Sequence, residues 1–262
     1  MNNVRRLTVH RRTAEGRSLI EESFAMESLI RLVVNGSSLV NLLGSPEHSR
    51  ELAVGHLMTQ HGLRPHHIES IAVSEQDGAV GVDIVTKEEH DLTERTGVVT
   101  SSCGACDQSE LNELVKGAPV VTNPSQLVDV EAVLEMLHAM REQQTGFRLT
   151  GGMHAAGLCA RDNTSLVVME DIGRHNAVDK AYGAWYDQSL ERPSVLLLSG
   201  RCGWDIVAKA AAMDTPIIAS FGAASSLAVE TARASNMTLF TFVKGDKAVI
   251  IGPVEGRFHR KH

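Results

Sequence analysis

Val195-Leu196-Leu197-Leu198-Ser199-Gly200-Arg201 is a short apolar run that breaks into a small, polar and basic turn. Four consecutive apolar residues without alternation suit a strand covered on both faces. Comparable runs stand on either side, at Ser165–Met169, Pro216–Ser220 and Thr238–Val243. Helical spacing fills the intervals, at about 174–187, 203–213 and 225–235. This alternation predicts βαβ units and a parallel sheet. A last strand, Ala248–Ile251, follows the turn Lys244-Gly245-Asp246-Lys247. Before the first run, Val133, Leu134, Leu137 and Met140 recur at helical intervals and predict a helix from Val130 to Gln144.

The earlier part of the chain has another character. Leu29 to Val34 and Ser38 to Leu43 predict two strands, and Asn35-Gly36 between them is a type I′ hairpin turn. Ser45-Pro46-Glu47-His48 predicts a helix start, with Ser at the N-cap and Pro in the first turn. Leu52, Ala53, His56 and Leu57 give that helix its apolar face, and Gly62 stops it. Residues 68–74 and 79–86 read as two more strands. Residues 1–18 are polar and basic and fit an edge strand or a frayed arm equally. Pro119, Asn123 and Pro124 mark a boundary between a small α+β domain, residues 1–122, and an α/β domain, residues 123–262.

The 262 residues carry a net charge of −7, which argues against general nucleic-acid binding and leaves any anion site to a local basic cluster. No apolar run has membrane-spanning length, and the Arg-rich start lacks the apolar core of a secretory signal. Four cysteines in this length do not make a disulfide framework, so a reducing cytoplasm is expected. Two of them form Ser101-Ser102-Cys103-Gly104-Ala105-Cys106-Asp107, ahead of a helix predicted from Gln108 to Lys116. Small neighbours and a helix N-terminus leave both sulfurs accessible and favour thiolate. Such a Cys-x-x-Cys fits redox, metal and sulfur-carrier roles alike. His56, His61, His66 and His67 lie close in sequence but lack a Cys or carboxylate at metal-ligand spacing. Zinc deaminases place His-x-Glu before Pro-Cys-x-x-Cys. Here the order is reversed and the Glu is absent. No P-loop is present either.

In an open α/β sheet, ligands sit beyond the carboxyl ends of the strands. The expected ends carry Glu170-Asp171-Ile172-Gly173-Arg174-His175-Asn176, then Ser199-Gly200-Arg201, then Ser220-Phe221-Gly222-Ala223-Ala224-Ser225-Ser226, then Phe242-Val243-Lys244-Gly245-Asp246-Lys247. Gly151-Gly152-Met153-His154 precedes the first strand and reaches the same edge. Glycines admit close approach, helix N-termini attract anions, and Arg174, Arg201, Lys244 and Lys247 supply charge. The edge reads as a site for a phosphate-bearing ligand such as a nucleotide. His175 and Asp179, four apart on one helix, read as a structural pair. Ala177, Val178, Ala181, Tyr182 and Trp185 read as core, Cys159 as a buried thiol, and Cys202 as a loop thiol close to the ligand side.

These blocks together resemble the formate dehydrogenase accessory sulfurtransferase family (FdhD). The resemblance rests on Val34-Asn35-Gly36, Glu51 to Gly55, Ser101 to Cys106, Thr150 to Ala156, Glu170 to Lys180, Ser199-Gly200-Arg201 and Leu239 to Lys247, and spans about residues 27–252. It implies a deaminase-like three-layer α/β/α domain without zinc, joined to a smaller N-terminal α+β domain. It also implies a cytoplasmic sulfurtransferase that takes persulfide sulfur from a cysteine desulfurase. The sulfur would pass to the bis-molybdopterin guanine dinucleotide molybdenum cofactor of the formate dehydrogenase apoprotein, with GDP as a mimic of that cofactor. Cys103 would carry the persulfide and Cys106 assist. Gly152, His154, Arg174, His175, Ser199, Gly200, Arg201 and the block Phe242 to Lys247 would hold the cofactor. A homodimer fits this picture. Asp107, Cys202-Gly203-Trp204-Asp205 and Gly222-Ala223-Ala224-Ser225 depart from the family's usual residues. A thiol–disulfide oxidoreductase and a cofactor chaperone with dispensable cysteines are the alternatives. On the carrier reading, the loop of residues 100–107 overhangs the strand ends.

Overall fold

The structure, a computed structural model, describes residues 3–90, 92, 108–122, 129–160, 165–188 and 191–258. Cys103 and Cys106, and with them the expected overhang of the 100–107 loop, lie outside these residues. The chain opens with a two-stranded antiparallel hairpin, β1 (Val4–Thr13) and β2 (Gly16–Ala25), most of it exposed. This settles the reading of the first residues: they form a ribbon whose two strands, among the described residues, pair only with each other.

Next comes a four-stranded sheet. It holds β3 (Ser28–Val34), β4 (Ser37–Gly44), β5 (Ile68–Gln76) and β6 (Ala79–Thr86) in the order β4-β3-β6-β5. Asn35 and Gly36 both have positive φ, 49° and 78°, as a type I′ turn requires. Asn35 also reaches across to β6, its Nδ2 donating to Thr86 Oγ1 at 2.8 Å. Helix α1 (Ser49–His56) lies between β4 and β5 and runs into a π-helical turn, Leu57–His61, ended by Gly62 at φ 72°. Ser45 is not its cap. The cap position is His48, and Ser45 instead bonds across the molecule, as described below. Leu52, Ala53 and Leu57 close the small core with Ile30, Leu32, Val80, Val82 and Ile84.

The remaining elements are α2 (Gln108–Gly117), α3 (Val130–Glu142), α4 (Thr145–Thr150), β7 (His154–Cys159), β8 (Leu166–Asp171), α5 (Arg174–Asp187), β9 (Val195–Leu198), α6 (Trp204–Ala212), β10 (Ile217–Ser220), α7 (Ser226–Ala234), β11 (Thr238–Lys244) and β12 (Lys247–Ile251). The six strands order as β12-β11-β10-β9-β7-β8. Only β9, β10 and β11 are mutually parallel neighbours, whereas β7 is antiparallel to both β8 and β9. The expected parallel sheet is therefore mixed. Strand β7 escapes a reading by propensity because His-Ala-Ala-Gly-Leu-Cys lacks β-branched and aromatic residues. Its smallness is a packing requirement, since a Cβ at Gly157 would stand 3.3 Å from both Met140 of α3 and Leu197 of β9.

Helices cover both faces. Val133, Leu137 and Met140 of α3 pack with Ala155, Val195, Leu197, Ile217 and Phe240 on one side. Ala177, Val178, Tyr182 and Trp185 of α5, with Ile206, Val207 and Ala228 of the next two helices, pack against Ala156, Leu158, Leu196 and Leu198 on the other. Successive strand residues thus feed opposite cores, which is why β9 shows no polar alternation. Helix α2 packs on α7. Val54 of α1 and Met58 of the π-helical turn join the α5 core, so this helical segment is shared by the two sheets.

Where α1 crosses α5 the backbones nearly touch. A Cβ at Gly55 would lie 1.8 Å from Asp179 O, and one at Gly183 would lie 2.0 Å from Glu51 O. Neither carbonyl can swing away like a side chain, so the helices would have to part. We expect Gly55→Ala or Gly183→Ala to lower stability by about 1–3 kcal/mol or more, the usual cost of overpacking. Urea unfolding of each variant measures this.

Candidate functional site

Strands β8, β9, β10 and β11 run the same way, so their carboxyl ends share one edge, and β7 begins there. His154 opens β7 opposite Asp171, the last residue of β8. Ala155 N donates to Ser199 Oγ at 2.8 Å, and Ser199 N to Ala155 O at 3.0 Å. Gly200 stands against the His154 ring, its Cβ position only 3.0 Å from Nδ1. Ser220 Oγ donates to Gly200 O at 2.5 Å and accepts from Gly222 N at 2.9 Å. Phe242 N donates to Gly222 O at 3.0 Å. The loops after β9, β10 and β11 are thereby stitched together beside the start of β7.

Three helices begin at this edge. Gly173 caps α5 and Gly203 caps α6 without a side-chain acceptor, whereas Ser225 caps α7 by accepting from Ala228 N at 3.2 Å. The uncapped first turns of α5 and α6 favour an anion. Half-buried Arg174 and exposed Arg201 lie near His154. Burial, and then the charges of Arg174 and Arg201, hold the His154 ring below the ordinary imidazole range, with Asp171 pulling the other way. His154 is therefore neutral at pH 7 and the cluster's charge sits on its arginines. Phe242 has left-handed backbone, φ 53°, at an irregularity between Thr241 and Lys244, and the residue is 58% exposed. A bulky residue in that region is strained. Val243 next to it is buried in the core, so only its backbone faces the edge. Lys244, Gly245, Asp246 and Lys247 form the exposed β11–β12 turn, which His138 Nε2 meets at Gly245 O, 3.2 Å away.

The structure thus brings His154, Arg174, His175, Ser199, Gly200, Arg201 and the Phe242 to Lys247 turn to one edge. Gly152 lies two residues before it and packs near Ala25 at the base of the hairpin arm. The expected His175–Asp179 pair does not form. His175 Nε2 pairs with Asp205, and Asp179 pairs with Lys209. Cys159 and Cys202 are both buried, which pushes each thiol up to about 12. Neither is a thiolate at neutral pH.

A sequence model of the FdhD/NarQ family matches residues 25–255. The chain belongs to that family. It is 36% identical over 241 residues to the sulfur carrier protein FdhD of Mycolicibacterium paratuberculosis, covering 86% of this chain and 88% of the relative. It is 33% identical over 233 residues to the sulfur carrier protein FdhD of Bacillus subtilis, covering 87% of each. The fold is similar to the crystal structure of a protein from Desulfotalea psychrophila assigned as a formate dehydrogenase accessory protein. That likeness has a TM-score of 0.79 at 21% identity and covers 98% of this chain and 100% of the other.

The run Glu170 to Lys180, one of the blocks on which the resemblance rests, does mostly structural work here. Glu170 accepts from Gly146 N and Phe147 N at 2.7 and 2.8 Å and so caps α4. Asp171 accepts from Ser45 N, Gly173 N and Asn176 Nδ2 and pairs with Lys180 Nζ at 2.6 Å. Asn176 Nδ2 donates to Leu43 O and Lys180 Nζ to Ser45 O, both at 2.8 Å. Asp179 takes Thr59 Oγ1 at 2.8 Å and Lys209 Nζ at 2.5–2.6 Å, with His56 Nδ1 at 3.5 Å. Asp171, Asn176, Asp179 and Lys180 thus fasten the end of β4 and helix α1 to the large sheet, and leave Arg174 and His175 at the edge. Propensity and spacing do not announce such long-range pairs.

Burial alone would raise the Asp179 carboxyl, but Lys209 and His56 outweigh it and hold it at about 2 against an ordinary 3.8. A carboxylate so depressed adds stability above its unfolded value and loses it as pH falls through the folded one. Between about pH 4 and pH 2 the native chain should therefore lose about 2 kcal/mol through this group. Asp179→Asn should be less stable at pH 7 and show a shallower acid slope in that window. Denaturant titration at several pH values checks both.

Proposed function

We propose that the chain is a sulfur carrier. It takes persulfide sulfur from a cysteine desulfurase onto Cys103 and delivers it to a bis-molybdopterin guanine dinucleotide molybdenum cofactor, its substrate, in support of formate dehydrogenase. Family membership and the names of the relatives support the carrier role. The observation that carries the cofactor half is the single edge on which Arg174, Arg201, His154, two uncapped helix N-termini and the Phe242 to Lys247 turn converge. These groups suit the phosphates of a dinucleotide, with the exposed Phe242 ring available to an aromatic base. We also propose a cytoplasmic location and a deaminase-like arrangement of the large sheet, which the helices on both its faces support.

The chemistry assigned to Cys103 is thiolate attack on the outer sulfur of the desulfurase persulfide. The S–S bond of the donor breaks, the donor leaves as thiolate, and Cys103 holds the new persulfide. No external oxidant is consumed. In sequence Cys103 precedes Gln108, the first residue of α2, by five positions, and a thiol ahead of a helix N-terminus is favoured as thiolate, which supports that step.

Incubation with a cysteine desulfurase and cysteine should add about 32 Da, removable by thiol. Cys103→Ala should take no sulfur and support no formate dehydrogenase activity in cells. Full activity of that variant would sink the carrier reading in favour of a cofactor chaperone. Arg174→Ala and Arg201→Ala should each weaken GDP binding by about 1.5–3 kcal/mol, the range for charge-assisted contacts, while sulfur loading stays intact. Calorimetry beside the loading assay separates the two.

A further inference from the structure

We infer that Asp205 is a positioning residue that fixes His175 in one tautomer, with the proton on Nε2 and Nδ1 offered to the ligand as an acceptor. This rests on the reading of the strand edge as a nucleotide-phosphate site. His175 is the second residue of α5 and Asp205 the second of α6, so the pair links two helix starts under that edge. His175 Nε2 is buried and forms an ion-pair contact with Asp205 Oδ2, and among the described residues it has no partner of regular hydrogen-bond geometry. The His175 side chain is nevertheless 28% exposed, so its exposure comes from the remainder of the ring. A Cβ at residue 203 would stand 2.5 Å from Asp205 Oδ1. Glycine there leaves the carboxylate room for its turn toward α5.

A carboxylate beside one ring nitrogen keeps the proton on that nitrogen and leaves the other as a lone pair. The charged groups facing His175 are Arg174 and Asp179 on its own helix and Asp205 and Lys209 from α6. Burial comes first, and with the two cations it outweighs the two carboxylates, so the ring is neutral at pH 7. The charged and main-chain groups that draw an anion to this edge all donate: Arg174, Arg201, Lys244, Lys247 and the first-turn N–H groups, while neutral His154 and the Asp246 carboxylate of the exposed turn are acceptors beside them. Donors alone recognise any phosphate. A fixed neutral acceptor adds recognition of a hydroxyl or N–H next to the phosphate, which a nucleoside diphosphate has and pyrophosphate lacks.

The test uses the full chain, labelled with 15N, and titrations with GDP and with pyrophosphate at pH 7.5. Long-range 1H–15N spectra of the wild type should show His175 protonated at Nε2. Asp205→Asn should disturb that signature and weaken GDP about three- to tenfold, the worth of one neutral hydrogen bond, with pyrophosphate unchanged. Asp205→Glu should restore most of both. His175→Gln should lose GDP selectively as well, and adding Asp205→Asn to it should cost nothing more. A wild-type proton on Nδ1, equal losses for both ligands, or no rescue by Glu would overturn the inference. Circular dichroism and a thermal melt show that each variant is folded. Failure of the wild type to bind either ligand would instead remove the phosphate-site reading, while the spectra still judge Asp205.

Discussion

Helix α1 rests on helix α5 at backbone distance, and much of the rest follows from that crossing. Gly55 and Gly183 face main-chain carbonyls across it, so the two helices share one fixed contact instead of a layer of side chains. With the gap closed, Val54 and Met58 drop into the large core while Leu52 and Leu57 complete the small one. Helix α5 is held along its length and its first turn inherits that rigidity. Arg174 and His175 occupy this first turn, so their geometry at the strand edge is set by packing a dozen ångströms or so behind them, at 1.5 Å of helix per residue.

The same interface buries charge. Asp171 with Lys180, and Asp179 with Lys209, lie almost wholly out of water, and each lysine and carboxylate has further polar partners. Removing such ions from water costs about what their attraction returns, so the pairs add little net stability. Their geometric demand is the more telling effect. An Asp171 that bonds Ser45 N, Gly173 N and Asn176 at once accepts one docking arrangement of the β4 exit and no neighbouring one. Any slip would strand a buried ion.

Much of this was legible in the sequence, and the exceptions have physical causes. Val195 to Leu198 read as a doubly covered strand because both its faces are apolar, and Asn35-Gly36 read as a hairpin because few residues tolerate positive φ twice. Strand β7 was hidden by the small residues that α3 and β9 demand of it, and with it the mixed direction of the sheet. Ser45 looked like a helix cap because its local neighbours fit one. Its bonds go instead to Asp171 and Ile172. At the strand edge, Gly200, Arg174 and Arg201 were legible from their places after strands and His154 from its place ahead of the first one, while Asp205 was not. Its partner is thirty positions earlier on another helix, and no periodicity connects them.

The separation of Ser45 from its partners has a consequence for how the chain comes into being. Its N–H waits for a carboxylate 126 residues further on. At ordinary elongation rates of about 5–20 residues per second, that is on the order of 6–25 s during which the first sheet exists without its counterpart. Through this interval the glycine groove of α1, with Val54 and Met58 beside it, faces solvent on the nascent chain. The element that locks the finished molecule is thus an uncovered apolar surface during translation.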